Sequence, residues 1–155
     1  MLLALCNSGV KATAPVFKNI SLKELVSQLK TPVTGKKDGA YFIRTTVSDE
    51  TVKRRSDANT KSMASIIIID ADSRVINAAT GEMALGAPSP LKVHETLKTQ
   101  GIMHFIYRSY SHGIKGNRYR ILFLTDRPYS KEELPKTVSH ALALSGGGIA
   151  PVPEN

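Results

Sequence analysis

Tryptophan is absent from this 155-residue sequence, cysteine occurs once, and aromatic residues make up only 6%. The single Cys6 excludes an intrachain disulfide, and with no His or Cys at ligand spacing around it a thiolate metal site is excluded too. Both fit a reducing compartment. No apolar run reaches the ~18 residues needed to cross a bilayer. The apolar start Met1 to Cys6 has no basic segment before it and is interrupted by Asn7, Ser8 and Lys11, so it does not read as a secretory signal, although Ala12-Thr13-Ala14 imitates a cleavage site. A soluble, cytoplasmic protein with no membrane partner is expected. There is no internal repeat. Acidic residues are in the minority, 13 against 21 Lys and Arg, giving a net charge of +8. Such an excess is the usual electrostatic footprint of a polyphosphate partner. It also serves solubility, so the motifs must decide. With 41% hydrophobic and 22% charged residues, the chain is an ordinary globular one whose length suits a single domain, 1–155.

What the sequence does have is Ser65-Ile66-Ile67-Ile68-Ile69-Asp70-Ala71-Asp72. Four consecutive isoleucines predict a strand buried on both faces and central in a sheet. The side-chain period of two places Asp70 and Asp72 on one side at its exit, about 6 to 7 Å apart along the chain. Clustered carboxylates at the mouth of a sheet repel each other and invite an oxygen-preferring cation, Mg²⁺ or Mn²⁺. The same residues also suit a turn after a strand.

Around that strand, Ser21-Leu22-Lys23-Glu24 is a capping box opening a helix to about Lys30, after an irregular start to the chain. Residues 40–47 read as a strand, and Lys53-Arg54-Arg55 opens a polar loop or ragged edge that continues to Lys61. Residues 73–88 have no clear pattern. Ser89-Pro90 caps a second helix that stops at Gly101 and suggests a crossover to a parallel neighbour of the isoleucine strand. Residues 103–111 and 118–125 form a hairpin across a six-residue loop, with Arg118 and Arg120 on one face of the second strand. Ser130-Lys131-Glu132-Glu133 is a further capping box, with Pro135 positioned to distort or delay the helix that runs to about Leu144. The fold class is therefore α/β, or α+β in stricter usage: a mixed sheet flanked by three helices.

Asp70-Ala71-Asp72, Ser109-Tyr110-Ser111-His112 and Arg118-Tyr119-Arg120 occur in that order, and from about Ser21 to Leu144 the chain resembles the archaeo-eukaryotic primase superfamily, in particular the primase domains of phage and plasmid replication proteins. The resemblance implies an RRM-like sheet carrying a primase-polymerase core, and metal-dependent nucleotidyl transfer. Under it, Asp70 and Asp72 hold Mg²⁺ or Mn²⁺, and His112, with Ser109 and Ser111 of the same motif, meets the phosphates of a nucleoside triphosphate. Arg118 and Arg120 suit the same phosphates, since guanidinium groups bind them bidentately, and with His112 they are expected to face Asp70 and Asp72 across a gap the size of a triphosphate with its metal ions. Lys53, Arg54, Arg55 and Lys115 are candidates for the backbone of a single-stranded DNA template. A replicative helicase, fused or associated, is the partner implied.

The chain departs from the family in one respect: the third motif, a hydrophobic residue followed by Asp after the last helix, is not found before Asn155. That suggests the N-terminal part of a longer replication protein or an incomplete metal site. Two other readings compete. Gly116 to Phe123 distantly resembles the aromatic-basic strand of an RRM, which would make the chain a single-stranded nucleic-acid-binding module without catalysis. A nicking endonuclease of the relaxase or replication-initiator type would instead use paired histidines for metal and a tyrosine nucleophile, and His104 and His112 are not adjacent in the sequence as such a site requires.

Overall fold

The computed structural model describes residues 1–6, 9, 16–31, 39–52, 57–72, 74–76, 80, 83–85, 87–114, 116–146 and 149. They form an α+β protein of antiparallel sheets and three helices. The backbone divides into two compact units, Met1–Ser65 with Asp126–Lys131, and Ile66–Thr125 with Glu132–Asn155.

The first unit begins with two strands where the sequence reading expected none. Strand β1 (Leu2–Cys6) lies between β2 (Phe17–Ser21) and, further along the chain, β3 (Tyr41–Ile43), antiparallel to both. Its Leu3, Ala4, Leu5 and Cys6 are all buried. A five-residue apolar run carries no alternation, so nothing local distinguishes a covered strand from an unstructured start. Helix α1 (Leu22–Leu29) follows with its capping box formed: Ser21 Oγ accepts from Glu24 N–H at 3.2 Å, and Glu24 Oε2 accepts from Ser21 N–H at 2.7 Å. The strand expected over 40–47 is broken at Arg44 into β3 and β4 (Thr45–Val47). They serve different sheets, β4 pairing with β5 (Thr60–Met63). Two asparagines use their side chains as strand partners. The Asn19 amide both donates to and accepts from the backbone of Val47, at 3.1 and 3.0 Å, and the Asn59 amide does the same for Asp49, at 3.1 and 3.0 Å.

The second unit carries β6 (Ile66–Ala71), a short antiparallel pair β7 (Arg74–Ile76) and β8 (Met83–Leu85) in the stretch left unassigned, then α2 (Pro90–Thr99), β9 (His104–Arg108), β10 (Tyr119–Leu124) and α3 (Leu134–Leu144). Helix α2 starts with Ser89 Oγ accepting from Lys92 N–H at 3.2 Å. It stops at Gly101, whose φ of 69° permits the double closure Gly101 N–H to Lys98 O and Ile102 N–H to Leu97 O. The capping box expected at Ser130 does not cap α3. The helix starts at Leu134, with Pro135 in its first turn, where a missing N–H costs nothing.

Two expectations about the sheet are corrected. The strand order is β6-β10-β9, so among the described residues the isoleucine strand is an edge and the basic strand β10 is the centre. Burial on both faces, which the isoleucines do show at Ile66, Ile67 and Ile69, reports what lies above and below a strand and says nothing about its lateral neighbours. Secondly, β6 and β9 are not paired in parallel. Both run antiparallel to β10, which occupies the slot between them, the split β-α-β arrangement.

Candidate functional site

Register decides which side chains share a face. In β10, Tyr119, Ile121 and Phe123 point one way, aligned with Ala71, Ile69 and Ile67 of β6 and with Arg108, Ile106 and His104 of β9. On this face Ile67, Ile69, Ala71, Tyr119, Ile121 and Phe123 are each 4% exposed or less. Helix α2 is tied to it twice: just before the helix Tyr119 Oη donates to Pro88 O at 2.9 Å, and at its middle His94 Nδ1 meets His104 Nε2 at 2.8 Å. Helix α3 runs beside β6, and its Leu144 O accepts from Gln100 Nε2 at 3.0 Å.

The opposite face is graded along its length. Leu122 stands between Ile68 and Phe105, Arg120 between Asp70 and Tyr107, and Arg118 beside Asp72 with Ser109 N–H donating to Arg118 O at 3.0 Å on the other side. Three apolar residues thus give way, over two rows of about 7 Å each, to a ladder of alternating charge. Arg120 Nε and Nη2 both donate to Asp70 Oδ2 at 3.2 Å, and Arg118 Nη2 reaches Asp72 Oδ2 at 3.2 Å. Asp70 and Asp72 are directly opposite arginines, so the four charges meet and do not face each other across the triphosphate-sized space expected from the sequence.

The two rungs differ. Asp70 and Arg120 have side chains 37% and 44% exposed, so water screens them and the pair itself is worth little. Burial works against the charge on Arg120, but Tyr107 and Asp70 outweigh it and hold the guanidinium above its ordinary pKa. Burial also pushes the Tyr107 phenol up, against the pull of Arg120. Arg118, by contrast, is 8% exposed, and its Nε is buried with no hydrogen-bond partner. A buried N–H without an acceptor carries a cost of about 1 to 3 kcal/mol, which an anion placed against it would remove.

His112 completes this end of the sheet. Its Nδ1 lies 3.1 Å from both the N–H and the carbonyl of Arg118, accepting from the first or donating to the second according to tautomer. Either way the backbone fixes the ring. Among the described residues, Nε2 has no protein partner. The loop is closed by His112 N–H to Ser109 O and Gly113 N–H to Gly116 O, each 3.0 Å, with Gly113 and Gly116 both at φ 82°.

Asp70, Asp72, Ser109, His112, Arg118 and Arg120 are thus gathered at one end of one face. Ser111 sits half-buried in the same hairpin loop. Lys53, Arg54, Arg55 and Lys115 lie outside the described residues. His104 and His112 do not form a pair: His104 is on the helix-bearing face, held by Ile102 O at 2.7 Å and by His94. The sequence reading passed over Phe105 and Tyr107, although counting back by twos from Ser109 puts both on the ladder face.

Asp70 and Asp72 each engage their arginine through Oδ2 alone. Two carboxylates with an oxygen each to spare are a donor set that fits a hard divalent cation. Among the described residues no third His, Cys, Asp or Glu joins them. Comparison with known proteins finds no family model, curated protein or solved structure that matches this chain.

Proposed function

We propose that the chain is the nucleotidyl-transfer core of a primase or primase-polymerase, taking nucleoside triphosphates along a single-stranded DNA template with Mg²⁺ or Mn²⁺ as cofactor, within a longer replication protein that acts with a helicase in phage or plasmid replication. The observation that carries the reading is the ladder end of the sheet, where two arginines, one with a buried and unpartnered Nε, and a backbone-fixed histidine sit against two carboxylates. The order β6-α2-β9-β10-α3, with the short β7-β8 pair inserted between β6 and α2 and with β10 between β6 and β9 in the sheet, also supports it, since an RRM-like core opens with the same β-α-β-β-α run once that pair is set aside.

Asp70 and Asp72 would hold the cation through the oxygens their arginines leave over, and bound there it would supply Lewis-acid activation of the attacking 3′-hydroxyl and charge neutralisation at the leaving pyrophosphate. The chain's own residues do the rest. In the ladder each guanidinium is balanced by a carboxylate. When a triphosphate enters, Arg118 and Arg120 exchange a carboxylate acceptor for a phosphate one, and Arg118 Nε gains the acceptor it lacks. His112, with Nδ1 held by the backbone of Arg118, presents Nε2 to the same phosphates. Ser109 and Ser111 flank it in the loop. Lys53, Arg54, Arg55 and Lys115 would follow the template backbone, a contact that carries affinity without sequence information and weakens steeply with salt.

Template-directed incorporation of a labelled nucleotide in Mn²⁺ tests the reading. Activity is expected from the wild type and a loss of at least a hundredfold from Asp70→Ala with Asp72→Ala. Single-stranded DNA binding that is indifferent to metal and to both Asp substitutions, with no incorporation by the full-length protein, would leave the binding-module reading in its place.

A further inference from the structure

On the ladder face, Phe105 and Tyr107 stand two residues apart on β9, in phase with Ser109 and next to Leu122 and Arg120 of β10. Both are half-buried. Their ring centroids are 6.4 Å apart with 32° between planes, so the two rings are close neighbours on this face at a moderate tilt. Charge lies to one side of the two rings: Tyr107 shares a row with Arg120 and Asp70, and Arg118 and Asp72 follow in the next. Phe105 shares its row with Leu122 and Ile68, Leu122 being 2% exposed and packed closed.

From the Arg118 row to the Phe105 row is about 13 to 14 Å, and over that distance the surface passes from paired ions through a phenol to a bare ring. A nucleoside triphosphate has the same gradient along its own length: anionic phosphates, a hydroxylated sugar, then a flat base. We propose that Phe105 and Tyr107 are the platform on which the base of the incoming nucleotide stacks, with its triphosphate directed at Arg118, Arg120 and His112. The inference rests on the nucleotidyl-transfer reading and adds to it where the base goes. Stacking on a ring accepts any base, because every base has a π-face. The platform therefore supplies affinity, and the choice among bases is left to the template. Tyr107 has a second part, since its phenol and Asp70 both engage Arg120, coupling the platform to the phosphate end.

The experiment compares ATP with inorganic tripolyphosphate by calorimetry in Mn²⁺, on the wild type and on Phe105→Leu, which keeps apolar bulk but removes the ring. Wild type is expected to bind ATP about five- to 150-fold more tightly than tripolyphosphate, the range that stacking of one base spans. Phe105→Leu should bring that ratio near one while leaving tripolyphosphate affinity within about twofold. Phe105→Trp gives a second readout, because the chain contains no other tryptophan: its emission should be quenched by ATP and not by tripolyphosphate. If neither ligand binds the wild type, the functional reading fails and the platform with it. Equal binding of the two ligands by the wild type, a ratio unchanged in Phe105→Leu, or tryptophan emission indifferent to saturating ATP would overturn the platform alone. A loss of single-stranded DNA affinity in Phe105→Leu with ATP affinity unchanged would also overturn it, and would assign the rings to the template.

Discussion

The two faces of the β6-β10-β9 sheet are made by alternate residues of the same three strands, yet they have different tasks. The helix-bearing face is apolar across its centre, from Ile67 and Phe123 to Ala71 and Tyr119, and is closed. The ladder face is closed at Ile66 and Leu122, opens through half-buried Tyr107, Asp70 and Arg120, and reaches the His112 loop beside the buried Arg118. A period of two lets one strand supply both, so stability and chemistry are separated by a single residue step. Tyr119, flanked by Arg118 and Arg120, shows this most clearly: it is fully buried and donates to Pro88 O, while its neighbours project to the other side and meet carboxylates.

If the separation is real, substitutions one residue apart should have opposite signatures. Ile121→Ala removes a fully buried side chain from the helix-bearing face and should cost about 2 to 5 kcal/mol of folding stability. Arg120→Ala should cost less than about 1 kcal/mol, its ion pair being well exposed, while lowering nucleotide affinity ten- to a hundredfold. Urea unfolding and nucleotide titration on the two variants would merge the faces if both lost stability equally.

Within the ladder the rungs should differ in the same sense. Asp72→Ala leaves the buried Arg118 without its partner and should cost about 1 to 3 kcal/mol, against less than about 1 for Asp70→Ala, where Arg120 is solvated. Equal unfolding midpoints for the two would show that the Arg118 rung is no more structural than the other.

How much of this could be read from the sequence depends on the range of the interaction. The caps of α1 and α2 are local chemistry, and Ser21, Glu24 and Ser89 announced them. The cap at Ser130 was equally well spelled, but Pro135 dictated where α3 could begin. The phase of β10 was legible in Arg118-Tyr119-Arg120, which placed the two arginines on one face correctly. Its position was not, because lateral order in a sheet is settled by pairing between segments some fifty residues apart, such as Arg120 with Asp70, and no local pattern encodes it. That is why the carboxylates and guanidinium groups were expected to face each other at a distance. Strands β1 and β2 were missed for a related reason: Leu2 to Cys6 is a strand because β2 and β3 pair on either side of it.

A smaller effect belongs to the closed face. Burial pushes the Tyr119 phenol from its ordinary 10 up to about 12. A folded-state pKa above the unfolded value means stabilisation that is whole below pH 10 and lost as pH rises through 12. Tyr119→Phe should therefore cost about 1 kcal/mol at neutral pH, for the lost hydrogen bond, yet unfold with a shallower pH dependence between pH 10 and 12 than the wild type. Parallel pH profiles for the two would contradict the burial.

The central claim is that the ladder is a nucleotide site whose arginines exchange carboxylate for phosphate. It is tested most directly by following the side-chain Nε–Hε resonances of Arg118 and Arg120 while a nucleoside triphosphate is titrated in with Mg²⁺. The account predicts that both move, Arg118 most because its Nε acquires a first acceptor, while the backbone amides of Ile121 and Phe123 stay within a fraction of that shift. Saturating nucleotide with both arginine resonances unmoved would contradict it.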